Sequence, residues 1–150
     1  MAVSFLELER RIPIIGDDVV NSNGVLVFDT IVSSEGLGTQ IGYDMATGII
    51  TFLEPGYYYV DWYVAPYYGL TTNGSNWAIK TSVGNKSYIG SSHTKVSVTT
   101  GFAIINAGPT AIETARLVNV SDGAIYLSKA VLSRAGLIVY EIAVFTLAGN

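Results

Sequence analysis

Three stretches of the chain alternate with the two-residue period of a β-strand, yet none has a polar side. In Tyr57–Val64 one set of alternate positions is Tyr58, Val60, Trp62 and Val64; the other is Tyr57, Tyr59, Asp61 and Tyr63. Val25–Val32 divides into Leu26, Phe28 and Val32 against Val25, Val27, Asp29 and Ile31. Gly136–Leu147 divides into Ile138, Tyr140, Ile142 and Val144 against Leu137, Val139, Glu141, Ala143 and Phe145. Each second set holds a single acid among large apolar residues. A strand with one solvated face shows polar residues at every other position. These three predict strands covered on both sides, by a sandwich core on one and by another subunit on the other.

The remaining pattern is of short strands and turns. Asp44–Gly48 and Pro55–Gly56 are turn signals around the apolar run Ile49–Leu53, and Gln40–Tyr43 is a short strand before them. Ser33–Thr39 reads as a Gly/Ser loop and Pro66–Asn76 as a long loop. Trp77–Val83 alternates as a half-buried strand, Gly84-Asn85 turns, and Tyr88-Ile89 is a short strand before a polar loop, Gly90–Lys95. Val96–Ala107 is a further strand. Its Val96, Val98, Phe102 and Ile104 oppose a mostly small-residue set (Ser97, Thr99, Gly101, Ala103, Ile105 and Ala107) that suits close approach by another chain. Glu113–Val120 and Ile125–Leu127 pair as a hairpin around Ser121-Asp122-Gly123. Residues 1–24 read as an arm or leader: Met1–Arg11 is a short helix or an extended segment closed by Pro13 and Gly16. As an arm it packs on a neighbour through Val3, Phe5 and Leu6. Residues 25–150 then form one all-β domain, an antiparallel sandwich or barrel of about ten strands.

Composition changes this picture in one respect. Of 150 residues, 49% are hydrophobic and only 13% charged, little charge for a monomer's surface. The formal net charge of −4 argues against nucleic acid as a partner. There are no cysteines, hence no disulfide framework or thiol chemistry. No apolar run of membrane-spanning length occurs. Glu7, Glu9, Arg10 and Arg11 interrupt any secretory h-region.

Candidate chemistry is sparse. His93 follows Ser91-Ser92, but adjacent loop residues lack the oriented base of a triad, and a solvated loop histidine is the plainer reading. Asp29, Asp61 and Glu141 would serve glycoside hydrolysis only across an open groove, which a trimer closes. No enzyme is expected. The acids and amides of Asp17–Gly24 hint at calcium without the spacing of a calcium loop. Asn73, Asn85 and Asn119 sit in N-x-Ser sequons of little weight on their own.

The run Gly48-Ile49-Ile50-Thr51-Phe52, Pro55-Gly56-Tyr57-Tyr58-Tyr59-Val60, then Val118–Gly123 and an apolar last strand, resembles a jelly roll of the complement C1q/tumour-necrosis-factor superfamily. Within it the chain is similar to the C-terminal heads of bacterial collagen-like spore-surface (exosporium) glycoproteins. Their pattern falls here on Val25–Val27 with Phe28, then Ile41, Tyr43, Thr47, Gly48, Phe52, Pro55, Gly56, Tyr58, Val60 and Trp62, within a likeness covering residues 25–147. The collagen stalk of that family is absent, and residues 1–24 stand in its place.

The resemblance implies a ten-stranded sandwich that assembles as a homotrimer. Its inner sheet contains the first, last and aromatic strands and faces the other subunits. The expected trimer interface is Val27, Asp29, Tyr57, Tyr59, Asp61, Tyr63, Val139, Glu141 and Phe145. Asp29, Asp61 and Glu141 would lie in one row, met by Arg116 or Arg134, by a bound calcium or by protons, or else be bonded separately to tyrosines and backbone. The implied role is a non-enzymatic structural head on a spore or cell surface. The alternative is a lectin-like or receptor-binding module using Tyr67, Tyr68, Asn73, Asn76 and Trp77 toward a surface glycan or protein, although Trp77 also reads as a core residue.

Overall fold

The computed structural model describes residues 3–11 and 15–144. They form strands and turns, with no helix among them. In chain order the strands are β1 (Phe5–Arg10), β2 (Val19–Val20), β3 (Thr30–Glu35), β4 (Ile41–Asp44), β5 (Ile49–Phe52), β6 (Gly56–Val64), β7 (Pro66–Gly69), β8 (Ser75–Thr81), β9 (Ser87–Ser92), β10 (Thr99–Ala107), β11 (Glu113–Asn119), β12 (Ile125–Leu127) and β13 (Ala135–Val144). Ten of them make two five-stranded antiparallel sheets, β10-β6-β13-β1-β3 and β4-β5-β11-β8-β9; β2, β12 and β7 make a third, three-stranded sheet. The all-β antiparallel sandwich of about ten strands is therefore what the chain forms.

Packing follows the alternation of β6. Tyr58, Val60, Trp62 and Val64 are all buried between the sheets, with Phe28, Phe52, Trp77, Ile79, Ile105 and Leu117 around them. Trp62 is accommodated by glycine on the neighbouring strands. A methyl group at Gly101 would stand 2.3 Å from the Trp62 ring, and one at Gly90 2.8 Å. The small residues of β10 thus serve the core. Ala103, Ile105 and Ala107 are buried, and Phe102 and Ile104 point outward. The expectation that the small-residue face meets another chain is reversed.

The structure departs from the sequence reading elsewhere too. Phe5–Arg10 is no arm: it is β1, hydrogen-bonded between β13 and β3, with Leu6 and Leu8 fully buried. Its Leu-Glu-Leu-Glu alternation is that of a half-buried strand. The boundary expected at residue 25 thus cuts through the sandwich. Pro13, expected to close the arm, lies outside the described residues. Val25–Val32 is not one strand. Val25 makes an isolated bridge with Val118, and regular pairing starts only at Thr30. Between them side chains replace the ladder: the Tyr43 hydroxyl accepts from Phe28 N and donates to Phe28 O, both at 2.7 Å, and Arg10 Nη1 donates to Val27 O at 2.8 Å. Ile125–Leu127 does not pair back on β11; as β12 it lies between β2 and β7. Tyr67 and Tyr68 belong to β7 and not to a loop.

Candidate functional site

The cross-strand register places an apolar surface on the outward side of β10, β6 and β13. Directly paired residues of antiparallel strands share a face. Tyr59 pairs with Ile104 on one side and Tyr140 on the other, and Tyr140 pairs in turn with Phe5. This makes a lateral row of four large apolar side chains. The Tyr59 and Tyr140 rings lie 5.2 Å apart, tilted by 41°. One step along, Asp61 sits between Phe102 and Ile138. Phe102 is 69% exposed, Ile104 54% and Ile142 51%. Toward β1 and β3 the face turns polar through Glu7, Glu9, Ser33 and Glu35.

Four of the interface residues expected from sequence, Tyr57, Tyr59, Asp61 and Tyr63, lie on this face. Val139 does not: it pairs with Val60 and is fully buried in the core. Its neighbours Ile138 and Tyr140 face outward in its place. Val27 and Asp29 lie in the irregular segment before β3; Asp29 accepts from Arg11 N at 2.9 Å and from the Thr30 hydroxyl at 2.7 Å. Glu141 pairs with Tyr58, on the core side, just before a bulge that leaves Ile142 unpaired. Phe145 lies outside the described residues.

The proposed acidic row is thus not formed. Asp61 and Glu141 are on opposite sides of the sheet, and Asp29 belongs to neither position. No three acidic or histidine side chains converge on a metal-sized site among the described residues. The acids of the Asp17–Gly24 loop are otherwise engaged. Asp18, 2% exposed, is bound by Arg10 Nη2 at 3.0 Å and Arg134 Nη1 at 2.9 Å. Two guanidinium groups there meet the charge of Asp18.

Those two arginines mark one end of the main sheet. Arg10 ends β1 and Arg134 immediately precedes β13; Arg10 pairs with Ala135, and Ala135 with Val64, at the same end. β2, β7 and β12 all branch from this end as a cap. Leu127 N donates to Asp18 O at 2.7 Å and Ser128 N to Ala65 O at 2.8 Å. Asn119, fully buried, donates its amide to Val20 O at 2.9 Å, so its sequon is part of the cap's framework. The first described strand begins, and the last ends, at the other end of the sheet near Gly56, about 27 Å away at roughly 3.4 Å per residue.

The expected ligand loop is divided by the fold. Trp77 is fully buried and donates Nε1–H to the Ser75 hydroxyl at 2.9 Å, so it cannot contact a ligand. Asn76 accepts from the Ser91 hydroxyl at 2.6 Å, and Asn73 is exposed in a turn. Tyr67 and Tyr68 are exposed on the cap and are joined there by Tyr126, which sequence reading missed. A lone Tyr in a three-residue strand carries no local signal of its partners. His93 is exposed; Ser91 bonds Asn76, and Ser92 pairs with Thr94 at 3.4 Å, so no Ser–His pair is assembled.

No protein-family model and no curated protein sequence matches the chain. Solved structures do. The globular domain of zebrafish complement 1qA protein is similar over 97% of this chain and 98% of its own, with 12% identity and a TM-score of 0.61. Murine APRIL, crystallised at pH 8.0, is similar over 94% and 100%, with 12% identity and a TM-score of 0.61. The PRD1 vertex protein P5 is similar over 95% and 97%, with 16% identity and a TM-score of 0.56. At these identities the likeness is one of fold: the chain is an antiparallel jelly roll of the C1q and tumour-necrosis-factor-like kind.

Proposed function

We propose that this jelly roll is a non-catalytic assembly head that forms a homotrimer through the outer face of β10, β6 and β13. The observation that carries the reading is the row Ile104–Tyr59–Tyr140 with Phe102 beside it, apolar and, apart from the half-buried Tyr59, exposed in a chain with few charges. Exposed apolar patches of this kind mark interaction sites. Burying one aromatic side chain removes about 150–250 Å² from water, worth several kcal/mol at about 25 cal/mol/Å². Three copies related by a rotation give each chain a heterologous contact that closes into a ring. We further propose a spore- or cell-surface role, for which the support is the resemblance in sequence pattern, Val25–Phe28 and Ile41 to Trp62, to exosporium heads. Among the described residues no helix is long and apolar enough to cross a membrane.

Sedimentation equilibrium at micromolar concentration tests the assembly. A mass of three chains is expected, and a monomer would refute the reading. Antibody labelling of intact spores and vegetative cells tests the location, with surface label on either expected. Label confined to the cell interior would remove the surface role while leaving the trimer intact.

A further inference from the structure

The cap carries a feature that trimer assembly does not use. Tyr68 and Tyr126 are directly paired across β7 and β12 and so share a face. The next pairing is Leu127 with Pro66, so Tyr67 is the extra residue of a bulge. A bulge re-aims the side chain it carries. Here it turns Tyr67 to the side of the other two. Ring centroids are 5.3 Å apart for Tyr68–Tyr126, 6.4 Å for Tyr67–Tyr126 and 6.5 Å for Tyr67–Tyr68, the first two pairs meeting edge-on at 76° and 90°. Tyr67 and Tyr68 remain 43% and 48% exposed. Beside Tyr67 a hollow of about 240 Å³ is lined by Ser128, Lys129 and Ala130. That is below the roughly 300–1,000 Å³ of a drug-sized site.

The polar groups at the rim restrict what can bind. Lys129 Nζ lies 3.4 Å from Asp17 Oδ1 and donates to Gly16 O at 2.7 Å; the Tyr67 hydroxyl also reaches Asp17 Oδ1, at 3.4 Å. The cation and the anion balance, so neither a phosphate nor an ammonium ligand finds a net opposite charge. What remains is an aromatic surface with hydroxyl, ammonium and carboxylate groups along its edge. A neutral ligand with one apolar C–H face and a rim of hydroxyls complements both parts. The platform is also held rigid, because Asp18, anchored by Arg10 and Arg134, accepts Leu127 N from the strand that bears Tyr126. Little ordering then remains to be done on binding.

We propose that Tyr67, Tyr68 and Tyr126 form a binding surface for a neutral sugar ring, with Lys129, Asp17 and Ser128 meeting its hydroxyls. The site lies at the end of the sandwich opposite Gly56, and it does not depend on the oligomeric state.

The test is an array of neutral, sialylated and sulfated glycans and proline-rich peptides, probed with the full chain. The strongest neutral hit is then titrated as its free methyl glycoside while tyrosine ring resonances are followed by NMR. Binding to a neutral glycan with shifts of the three tyrosines is expected. Tyr68→Ala and Tyr126→Ala should each weaken it at least about tenfold. Tyr67→Leu and Tyr68→Leu, which keep apolar bulk on the cap, serve if an alanine variant is unfolded, and should also lose binding. Arg116→Glu, on the other sheet and away from both the cap and the apolar face, should retain it. Silence toward every neutral glycan, preference for the anionic glycans or the peptides, or binding that survives the leucine variants would each overturn the proposal.

Discussion

The two outward faces of the sandwich are built on the same strand geometry and carry opposite chemistry. On the sheet β4-β5-β11-β8-β9, paired outward positions are mainly polar or small, Thr51 with Thr114, Arg116 with Lys80, and Val118 with Ala78, with Ile89 at the edge strand an exposed apolar exception. On the sheet β10-β6-β13-β1-β3 the corresponding positions are Ile104, Tyr59 and Tyr140, then Phe102, Asp61 and Ile138. Inward, both sheets are alike: Trp62 and Val60 on one meet Trp77 and Ile79 on the other within one core. Stability of the single chain therefore explains the inner faces and not the difference between the outer ones. A surface of threonine, lysine and arginine is what a solvated sheet shows. A surface of phenylalanine, isoleucine and tyrosine calls for a cover, and the proposed trimer would supply one.

The largest effect should come from putting charge on the apolar face. Ile104→Glu places a carboxylate in the middle of the proposed contact, and the trimer dissociation constant should rise at least about 10³-fold, roughly 4 kcal/mol. Tyr59→Ser should weaken assembly in the same direction. Arg116→Glu on the other sheet and Tyr67→Ser on the cap should leave the mass unchanged. Sedimentation of the four variants decides the matter; equal masses for Ile104→Glu and Arg116→Glu would erase the distinction between the faces.

Much of this was legible in sequence, and the failures share a physical cause. Period-two alternation divided β6 correctly, because Trp62 and Val60 are bulkier and less polar than Asp61 opposite them. In β10 and β13 both sets are apolar, and alternation sorts residues into two sets without saying which faces inward. So Val139 was placed outside and Tyr140 inside, and Phe102 and Ile104 went unrecognised. Only the pairing of Val139 with Val60 and of Tyr140 with Tyr59 resolves the choice. The cap was illegible for another reason. β12 is three residues long and finds its partners across more than a hundred positions in β2 and about sixty in β7. Such contacts leave no local periodicity. The segment at Val27 and Asp29 reads as a strand by composition, yet Tyr43 and Arg10 take its backbone groups.

The second effect separates stability from assembly. Asp18→Asn leaves Arg10 and Arg134 facing each other with no carboxylate, in a site where Asp18 is 2% exposed. Breaking such a buried pair costs about 3–5 kcal/mol. Denaturant titration should show that loss, while the surviving folded protein keeps its mass. A change in mass with unchanged stability would mean that the cap takes part in the apolar contact.

Two glutamates then compare the two sheets directly. Glu113 opens β11 and is buried; its carboxylate accepts from Ser82 N at 2.9 Å, Val83 N at 2.7 Å, Gly84 N at 2.7 Å and Thr114 N at 3.0 Å. Burial alone would raise its pKa, but these N–H groups, with the Ser82 hydroxyl, outweigh burial and hold it below the ordinary carboxylate value. A group with a lowered folded pKa stabilises above its unfolded pKa and loses that contribution as pH falls through the folded value. Glu113→Gln should cost about 1–3 kcal/mol at neutral pH, since it removes charge-assisted hydrogen bonds. Most of the difference from wild type should vanish under acid. A variant as stable as wild type at neutral pH would show that the β8–β9 turn does not need the carboxylate.

Glu141, on β13 behind the apolar face, is the reverse case and the smallest effect. It pairs with Tyr58 on the core side, and its Oε2 is buried without a hydrogen-bond partner among the described residues. Burial, and next the charge of nearby Glu54, push its pKa above the ordinary value. A carboxyl with a raised folded pKa favours the folded state most when it is protonated. Its contribution is full below the unfolded pKa and is lost as pH rises through the folded one. At neutral pH the raised pKa opposes folding, so Glu141→Gln should leave stability unchanged or raise it by up to about 1 kcal/mol. Thermal melts of wild type and both glutamine variants from neutral pH to the carboxylate range give the comparison. Glu113→Gln should approach wild type as pH falls, and Glu141→Gln should lose its advantage. If Glu141→Gln instead behaves like Glu113→Gln, losing stability at neutral pH and recovering it in acid, then Glu141 is paired in solution. The buried edge behind Tyr140 would in that case be polar, and the apolar face would extend less far toward Gly56 than its register implies.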